Sequence, residues 1–188
     1  MEELRKYIEF LYPLSETDWN YFSSRLEACS FAKKQEILTQ GKSEQYLYFM
    51  LKGIVRYYVP QPFQEVTFGF SFHHQFVTGY DSFLTGLPSA YSIQTLTPAS
   101  FLRISKEQLQ SMYDNTQGGT VIGRMMAEQQ YLIKSNREMA FLTKSPEERY
   151  LALFTERPEL IKHIPLKYLA SYIGVTPQAL SRIRKRIS

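Results

Sequence analysis

The spacing of apolar side chains changes character three times along the chain. Up to about residue 30 it is helical: Leu4, Ile8 and Leu11 share a face, and Ser15 followed by Asp18 marks a helix start with acid in its first turn, leading into Trp19, Phe22 and Leu26. From Phe31 to Ile104 it is strand-like and rich in Tyr, Phe, Val and Ile. The expected strands run over Glu36 to Thr39, Tyr46 to Leu51, Ile54 to Val59, Glu65 to Phe72, Tyr91 to Leu96 and Ser100 to Ile104. Val66, Phe68, Phe70 and Phe72 alternate most regularly, which predicts that this row turns inward. Gly41, Lys52-Gly53, Pro60 to Pro62, Gly86 to Pro88 and Pro98 punctuate the turns. Short strands at such spacing predict an antiparallel barrel or jelly roll.

From Ser105 the period is helical again, and after Gly118-Gly119 one long segment runs to about Thr143. Within it Ile122, Met126, Gln129, Ile133, Asn136, Ala140 and Thr143 recur at alternating steps of four and three, the seam of a helix that wants a partner helix. A second apolar row, Val121, Met125, Leu132 and Met139, is expected to lie against the chain's own barrel. A homodimer through the first row follows. Ser145-Pro146-Glu147-Glu148-Arg149 then opens a new helix with Pro at its first position and acid in its first turn. The expected organisation is α+β: a β-roll unit over 1–118 with flanking helices, a dimerisation helix over 119–144, and a small helical domain over 145–188.

The final segment has its own logic. Leu166, Leu169, Ala170 and Ile173 form the apolar stripe of a short helix, and Gly174 stands where that helix would stop in the left-handed conformation. Thr176-Pro177 is a restart signal, since the Thr hydroxyl can accept a free backbone N–H and Pro at the first helical position has none to leave unpaired. In the second helix Leu180, Ile183 and Ile187 face inward, while Gln178, Arg182 and Lys185 occupy a narrow opposite arc. Two short helices joined by a tight Gly turn, the second carrying Arg and Gln outward, form a helix-turn-helix suited to the major groove. The candidate DNA-contacting residues are Thr176, Gln178, Ser181, Arg182, Lys185 and Arg186. The plainer alternative is an amphipathic hairpin with a solvated basic face.

Charge supports the DNA reading. The last 29 residues hold six Lys and Arg and no Asp or Glu, although the whole chain is only +4. Without them 16 basic side chains stand against 18 acidic ones (22 − 6 = 16), so the positive charge is local to the reading head.

Composition bounds the remainder. With 188 residues and 44% hydrophobic content the chain can bury a sizeable core. No apolar run approaches the roughly 20 residues that cross a bilayer, and Met-Glu-Glu-Leu-Arg does not open a signal peptide. One cysteine, Cys29, allows no internal disulfide and is read as a small buried hydrophobe, which fits a cytoplasmic protein without an iron-sulfur cluster. A jelly roll with His73, His74 and Glu65 invites a metal-enzyme reading, but adjacent histidines in an extended chain point apart, so neither a metal nor a catalytic site is expected. Haem ligation by one of them is a further alternative. His163 is read as a surface or capping residue, and Gly118-Gly119 lacks the flanks of a phosphate loop.

The order of parts resembles the Crp/Fnr superfamily of bacterial transcription regulators. The words that carry the resemblance are Gln40-Gly41 through Gly53-Ile-Val-Arg-Tyr, two glycines twelve apart bracketing a strand, and Ala170-Ser-Tyr-Ile-Gly-Val-Thr-Pro-Gln-Ala-Leu-Ser-Arg-Ile183. The resemblance implies a sensor β-roll like those that bind cyclic nucleotides, a homodimer, and partners in near-palindromic double-stranded DNA and RNA polymerase, with no membrane. It also exposes two departures. Relatives that bind a cyclic nucleotide hold it with a Gly-Glu and an Arg-Ser pair; here Thr78-Gly79 and Ser89-Ala90 stand about there, and no Arg or Lys occurs between Arg56 and Arg103. The effector cassette is expected at Thr78, Gly79, Tyr80, Ser82, Ser89, Ala90 and Tyr91, unresponsive to cAMP, with an effector the sequence does not identify and no required cofactor. The second departure is the expectation of a reading head without a β-hairpin wing, since Ser188 follows Arg184-Lys185-Arg186 so soon. Outside this family, the competing reading is a β-roll that docks its basic tail on an acidic protein or on RNA.

Overall fold

The computed structural model describes residues 1–187, so Ser188, the last position of the expected 145–188 unit, lies outside them. Two helices, α1 (Glu2–Leu11) and α2 (Glu16–Ser23), precede eight strands: β1 (Glu27–Phe31), β2 (Glu36–Leu38), β3 (Tyr46–Lys52), β4 (Ile54–Pro60), β5 (Glu65–Phe72), β6 (Phe76–Val77), β7 (Ser92–Thr95) and β8 (Ala99–Ser105). One short helix, α3 (Tyr80–Thr85), interrupts them. After them come α4 (Lys106–Asn115), α5 (Gly119–Thr143), α6 (Pro146–Glu156), α7 (Pro158–His163), α8 (Leu166–Tyr172) and α9 (Pro177–Ile187). No described helix is long and apolar enough to cross a membrane.

The strands form two four-stranded antiparallel sheets, ordered β1-β8-β3-β6 and β2-β7-β4-β5. Leu38, Tyr48, Met50, Val55, Val77, Ile93 and Phe101 fill the space between them. The alternate residues of β3, Leu47 and Phe49, turn outward and are covered by Leu4, Ile8, Trp19, Phe22, Leu109, Met112 and Ile122 from the helices. β3 is thus buried on both faces, and its near-continuous run Tyr-Leu-Tyr-Phe-Met-Leu is what that position requires.

Three expectations are corrected. The helical stretch expected up to residue 30 ends sooner, because Glu27–Phe31 is a strand paired with β8 in register Glu27↔Arg103 to Phe31↔Ala99. It is an edge strand with only Cys29 and Phe31 half-buried, so no apolar alternation advertises it. Phe76–Val77, outside every expected strand, also pairs, with Phe49 and Tyr48.

The second correction concerns β5. Its register against β4 shifts between Tyr57↔Gly69 and Tyr58↔Thr67, leaving Phe68 as the extra residue of a bulge. A bulge reverses the parity of the strand. Phe68 therefore packs with Tyr57 and Tyr91, whereas Phe70 and Phe72, expected on the same inward row, join Tyr150, Leu160, Leu169 and Ile173 of the C-terminal helices.

The third concerns the start of α5, where the row expected to meet a partner helix is built into the roll instead. Ile122 is buried in the roll's own core, Met126 packs against it, and Gln129 accepts a 3.1 Å hydrogen bond from the Tyr7 hydroxyl. Further along, Ile133 and Asn136 of that row are exposed and Ala140 is half-buried. Of the row expected against the barrel, Val121 and Met125 are half-buried, whereas Leu132 is 57% and Met139 53% exposed, and Leu142 beyond them 74%. Gly123 fixes this orientation, since a Cβ there would stand 2.8 Å from the Tyr113 hydroxyl of α4.

Candidate nucleic-acid interface and effector cassette

The C-terminal helices form a compact helix-turn-helix. Leu169, Ala170 and Ile173 bury the inner side of α8, while Leu166, expected on that stripe, is 43% exposed at its first turn. Gly174 takes φ +78, its N–H donates to Ser171 O at 3.0 Å, and Val175 N–H donates to Ala170 O at 2.9 Å. This pair of bonds closes a helix end only when the residue between is left-handed, which explains the glycine. The Thr176 hydroxyl then accepts from Ala179 N–H at 3.2 Å and caps α9.

On α9, Leu180 and Ile183 are buried in the domain core, and Gln178, Ser181, Arg182 and Lys185 are all exposed. The sequence-derived arc is therefore a real surface, and a cluster of polar and basic groups on one face of a short helix fits the width of a major groove. Arg186 differs from the others: its guanidinium is paired with Glu147 of α6. Thr176 is exposed as well, although its hydroxyl is engaged in the cap.

The reading head sits directly on the β-roll. Thr67 N–H of β5 donates to Ser171 Oγ of α8 at 2.8 Å, and Phe70 lies 5.4 Å from Tyr172, ring to ring. Beside them Arg56, only 2% exposed, donates to Gln94 Oε1 through Nε (3.0 Å) and Nη2 (2.8 Å) and pairs with Glu65 at 2.6 Å. Its guanidinium lies over Tyr58 of the roll and Tyr168 of α8. The sequence analysis did not single out Arg56. A lone Arg within an apolar strand was its only signal.

The cassette residues do come together, but their polar groups are engaged by the surrounding chain. Ser82 Oγ donates to Leu87 O and accepts from Glu44 N–H, and Thr78 Oγ1 donates to Tyr46 O at 3.0 Å. Ser89 Oγ meets the backbone of Tyr91, whose hydroxyl donates to Asp81 Oδ1 at 2.7 Å. Tyr91, Phe68 and Tyr57 cluster in the roll's mouth, Phe68 and Tyr91 edge to face at 5.0 Å. Gly79 admits no side chain, because a Cβ would stand 2.4 Å from Leu38 Cδ2. Tyr80 begins α3, and Ala90 O accepts from Gln40 Nε2 at 3.0 Å.

Glu44, which the sequence analysis missed, is the charged group beneath this cassette. It is nearly fully buried, accepts backbone N–H groups of Gln45, Tyr46 and Gly79, and burial pushes its carboxyl above the usual range despite those bonds. Burial likewise lifts the Tyr57 hydroxyl to about 12. Between Arg56 and Arg103 the chain carries no Arg or Lys, and the one ammonium that reaches α3, Lys106, donates to Leu84 O at 2.8 Å.

Among the described residues no group of three His, Cys, Asp or Glu is placed to hold a metal. His74, at φ 61, pairs with Glu3 rather than with His73, whose ring lies 5.0 Å away. His163 lies 6.5 Å from Phe72 at the rim of the domain junction.

Comparisons with known proteins agree with this geometry. Residues 28–116 match the sequence family described as the cyclic nucleotide-binding domain. A comparison with curated protein sequences found no match. Among solved structures, the chain is similar to the c-di-GMP responsive global regulator CLP of Xanthomonas campestris, at 16% identity and TM-score 0.69, covering 92% of this chain and 91% of that one. It is similar also to FixK2 of Bradyrhizobium japonicum, at 14% identity and TM-score 0.71, covering 86% and 84%. A protein of Eubacterium rectale described as a transcriptional regulator of the Crp/Fnr family superposes with TM-score 0.72 at 12% identity, over 97% and 87%.

Proposed function

The chain has the fold of Crp/Fnr-type regulators, and we propose that it is a sequence-specific DNA-binding transcription regulator that acts as a homodimer and does not answer to cAMP. The observation that carries this reading is the exposed arc Gln178, Ser181, Arg182 and Lys185, backed by buried Leu180 and Ile183, in a segment without a single carboxylate. Gln can bond adenine bidentately and Arg guanine, while Lys185 supplies phosphate contact.

The homodimer reading rests on the outward row of α5. Val121, Met125, Glu128, Leu132, Ser135, Met139 and Leu142 follow steps of four and three through six intervals, with Leu132, Met139 and Leu142 exposed and Val121 and Met125 half-buried. Two copies joined there carry two reading heads, which matches a twofold-symmetric operator. A cassette whose hydroxyls are already engaged, in a stretch without Arg or Lys from 57 to 102, supports the absence of a cAMP response.

The test is enrichment of random duplex DNA by the full chain. A palindrome with half-sites about one helical turn apart is expected, with affinity falling steeply as salt rises. Enrichment of no palindrome, or preferential capture of RNA, would overturn the reading.

A further inference from the structure

The last third of α5 passes α6 and the end of α8 without closing on them, and a cavity of about 220 Å³ remains. Its ionisable lining is Arg137, Lys144, Arg149 and Arg157 against one carboxylate, Glu156. Lys144 lies 3.5 Å from Glu156 and Arg157 pairs with Glu159, so the guanidinium groups of Arg137 and Arg149 are left in excess. Arg149 donates to Lys144 O at 2.6 Å and Ile173 O at 2.9 Å, tying two helix ends together, but both acceptors are neutral. Arg157 meets Glu159 through Nε, while its Nη2 is buried without a hydrogen-bond partner among the described residues.

Arg137 is the most exposed of its needs. Its Nε is also buried and unpartnered, and one long bond of 3.4 Å links Nη2 to Tyr172 O. Burial and the neighbouring Arg149 charge both act against its protonated form. The ring of Phe141, 4.5 Å from Arg137 and 4.4 Å from Arg149, relieves that repulsion only in part. Two unpartnered guanidinium nitrogens on residues that line one cavity, with excess positive charge around it, mark a site short of an anion.

We propose that this crevice binds a small anion bearing a phosphate or carboxylate group, gripped by Arg137 from α5 and Arg157 from the α6–α7 junction. The volume fits a few waters, each taking about 30 Å³, or one compact anion, and falls below the roughly 300 Å³ at which pockets for larger ligands begin. The lining positions 133, 136, 137 and 140 lie roughly a third of a turn round α5 from Leu132 and Met139, so a partner helix on that row leaves the cavity open. An anion held there would clamp the reading head to α5. Only this consequence rests on the proposed function; the binding does not.

The full chain is titrated with inorganic phosphate and, separately, with succinate, at ionic strength fixed with chloride, by calorimetry and by thermal melting. One saturable site per chain is expected, with a rise in Tm that chloride does not give; the arm that saturates at lower concentration identifies the favoured head group. Arg137→Met, which keeps the stem, and Arg157→Gln should each weaken binding about tenfold or more, the loss of a charge-assisted bond, whereas Lys33→Gln in the roll leaves it unchanged. No saturable response to either anion overturns the proposal. So does equal binding by both arginine variants and the wild type. Saturation without any effect on enriched DNA keeps the site and removes the clamp; saturation by a chain that enriches no palindrome keeps the site and sinks the proposed function.

Discussion

The guanidinium of Arg56 lies 4.3 Å from the ring centre of Tyr168, the contact through which a strand of the roll holds the first helix of the reading head. Tyr58 is 4.0 Å away, so the cation contacts one ring of each domain. Gln94, Glu65 and Thr67 take its N–H groups, which is how a chain tolerates an arginine that is 2% exposed.

Arg56→Met should therefore destabilise the protein by about 1 to 3 kcal/mol, because Gln94 Oε1 loses its donors while Glu65, 46% exposed, stays solvated. Tyr168→Leu should cost less, and the two together should fall short of additivity by about 1 kcal/mol. Urea melts of the single and double variants check this; strict additivity would mean that the stacking is incidental. Arg56→Lys should not rescue, because an ammonium cannot lie flat against a ring.

Glu44 predicts a pH dependence. Its native carboxyl lies above its ordinary value of 4.5 because burial disfavours the charged form. The folded state then holds more protons than the unfolded one between those two values, so this group's contribution falls as pH rises from 4.5 through the native value and is constant above it. Glu44→Gln should remove that decline while its amide oxygen still accepts from Gln45 and Tyr46. Parallel melting curves of wild type and variant across that range would contradict the assignment.

Gly174→Ala should unfold the reading head selectively. The residue sits at φ +78, and an added Cβ would stand 2.7 Å from Phe141 Cε1. Left-handed strain of roughly 1 kcal/mol plus displacement of the Phe141 ring predicts about 2 to 3 kcal/mol in all. Hydrogen exchange should show the loss in α8 and α9, with β3 and β8 unaffected.

Much of this arrangement could be read in advance because the signals were local. Gly174, Thr176-Pro177 and the Leu180/Ile183 face encode their own turn, cap and burial, and Ser145 with Glu148 forms a capping box around Pro146. What could not be read depended on distant neighbours. One extra residue, Phe68, reverses the faces of β5, and no alternation rule counts a bulge. The seam read on α5 at Ile122, Met126 and Gln129 lost its first part to the roll, where Tyr7 bonds Gln129 and Ile122 joins the core. Arg56 and Glu44 acquire meaning only from partners well removed in sequence, Tyr168 and Gly79.

The α5 assignment makes its own prediction. Leu132→Lys and Met139→Lys on the outward row should shift the protein from dimer to monomer in sedimentation while its melting as a monomer stays nearly unchanged, since neither side chain is buried. Ile122→Ala should do the reverse, removing about 2 to 4 kcal/mol of core packing without a direct effect on the outward row.

The reading head is tested by two side chains on one helix face. Arg182→Ala should cost about 1 to 3 kcal/mol on the enriched site and relax preference at one base position per half-site, because a base-edge contact carries sequence information. Lys185→Ala, nearer the helix end, should weaken all duplexes alike and reduce the salt slope by about one unit per reading head, the signature of a phosphate contact. Arg186→Ala, whose partner is Glu147, should lose affinity less than Lys185→Ala, since its charge is already paired within the chain. Binding isotherms on matched and single-substituted duplexes at several salt concentrations separate the three. Uniform weakening by Arg182→Ala together with altered base preference in Lys185→Ala would show that α9 enters the groove turned from the arc that Leu180 and Ile183 define.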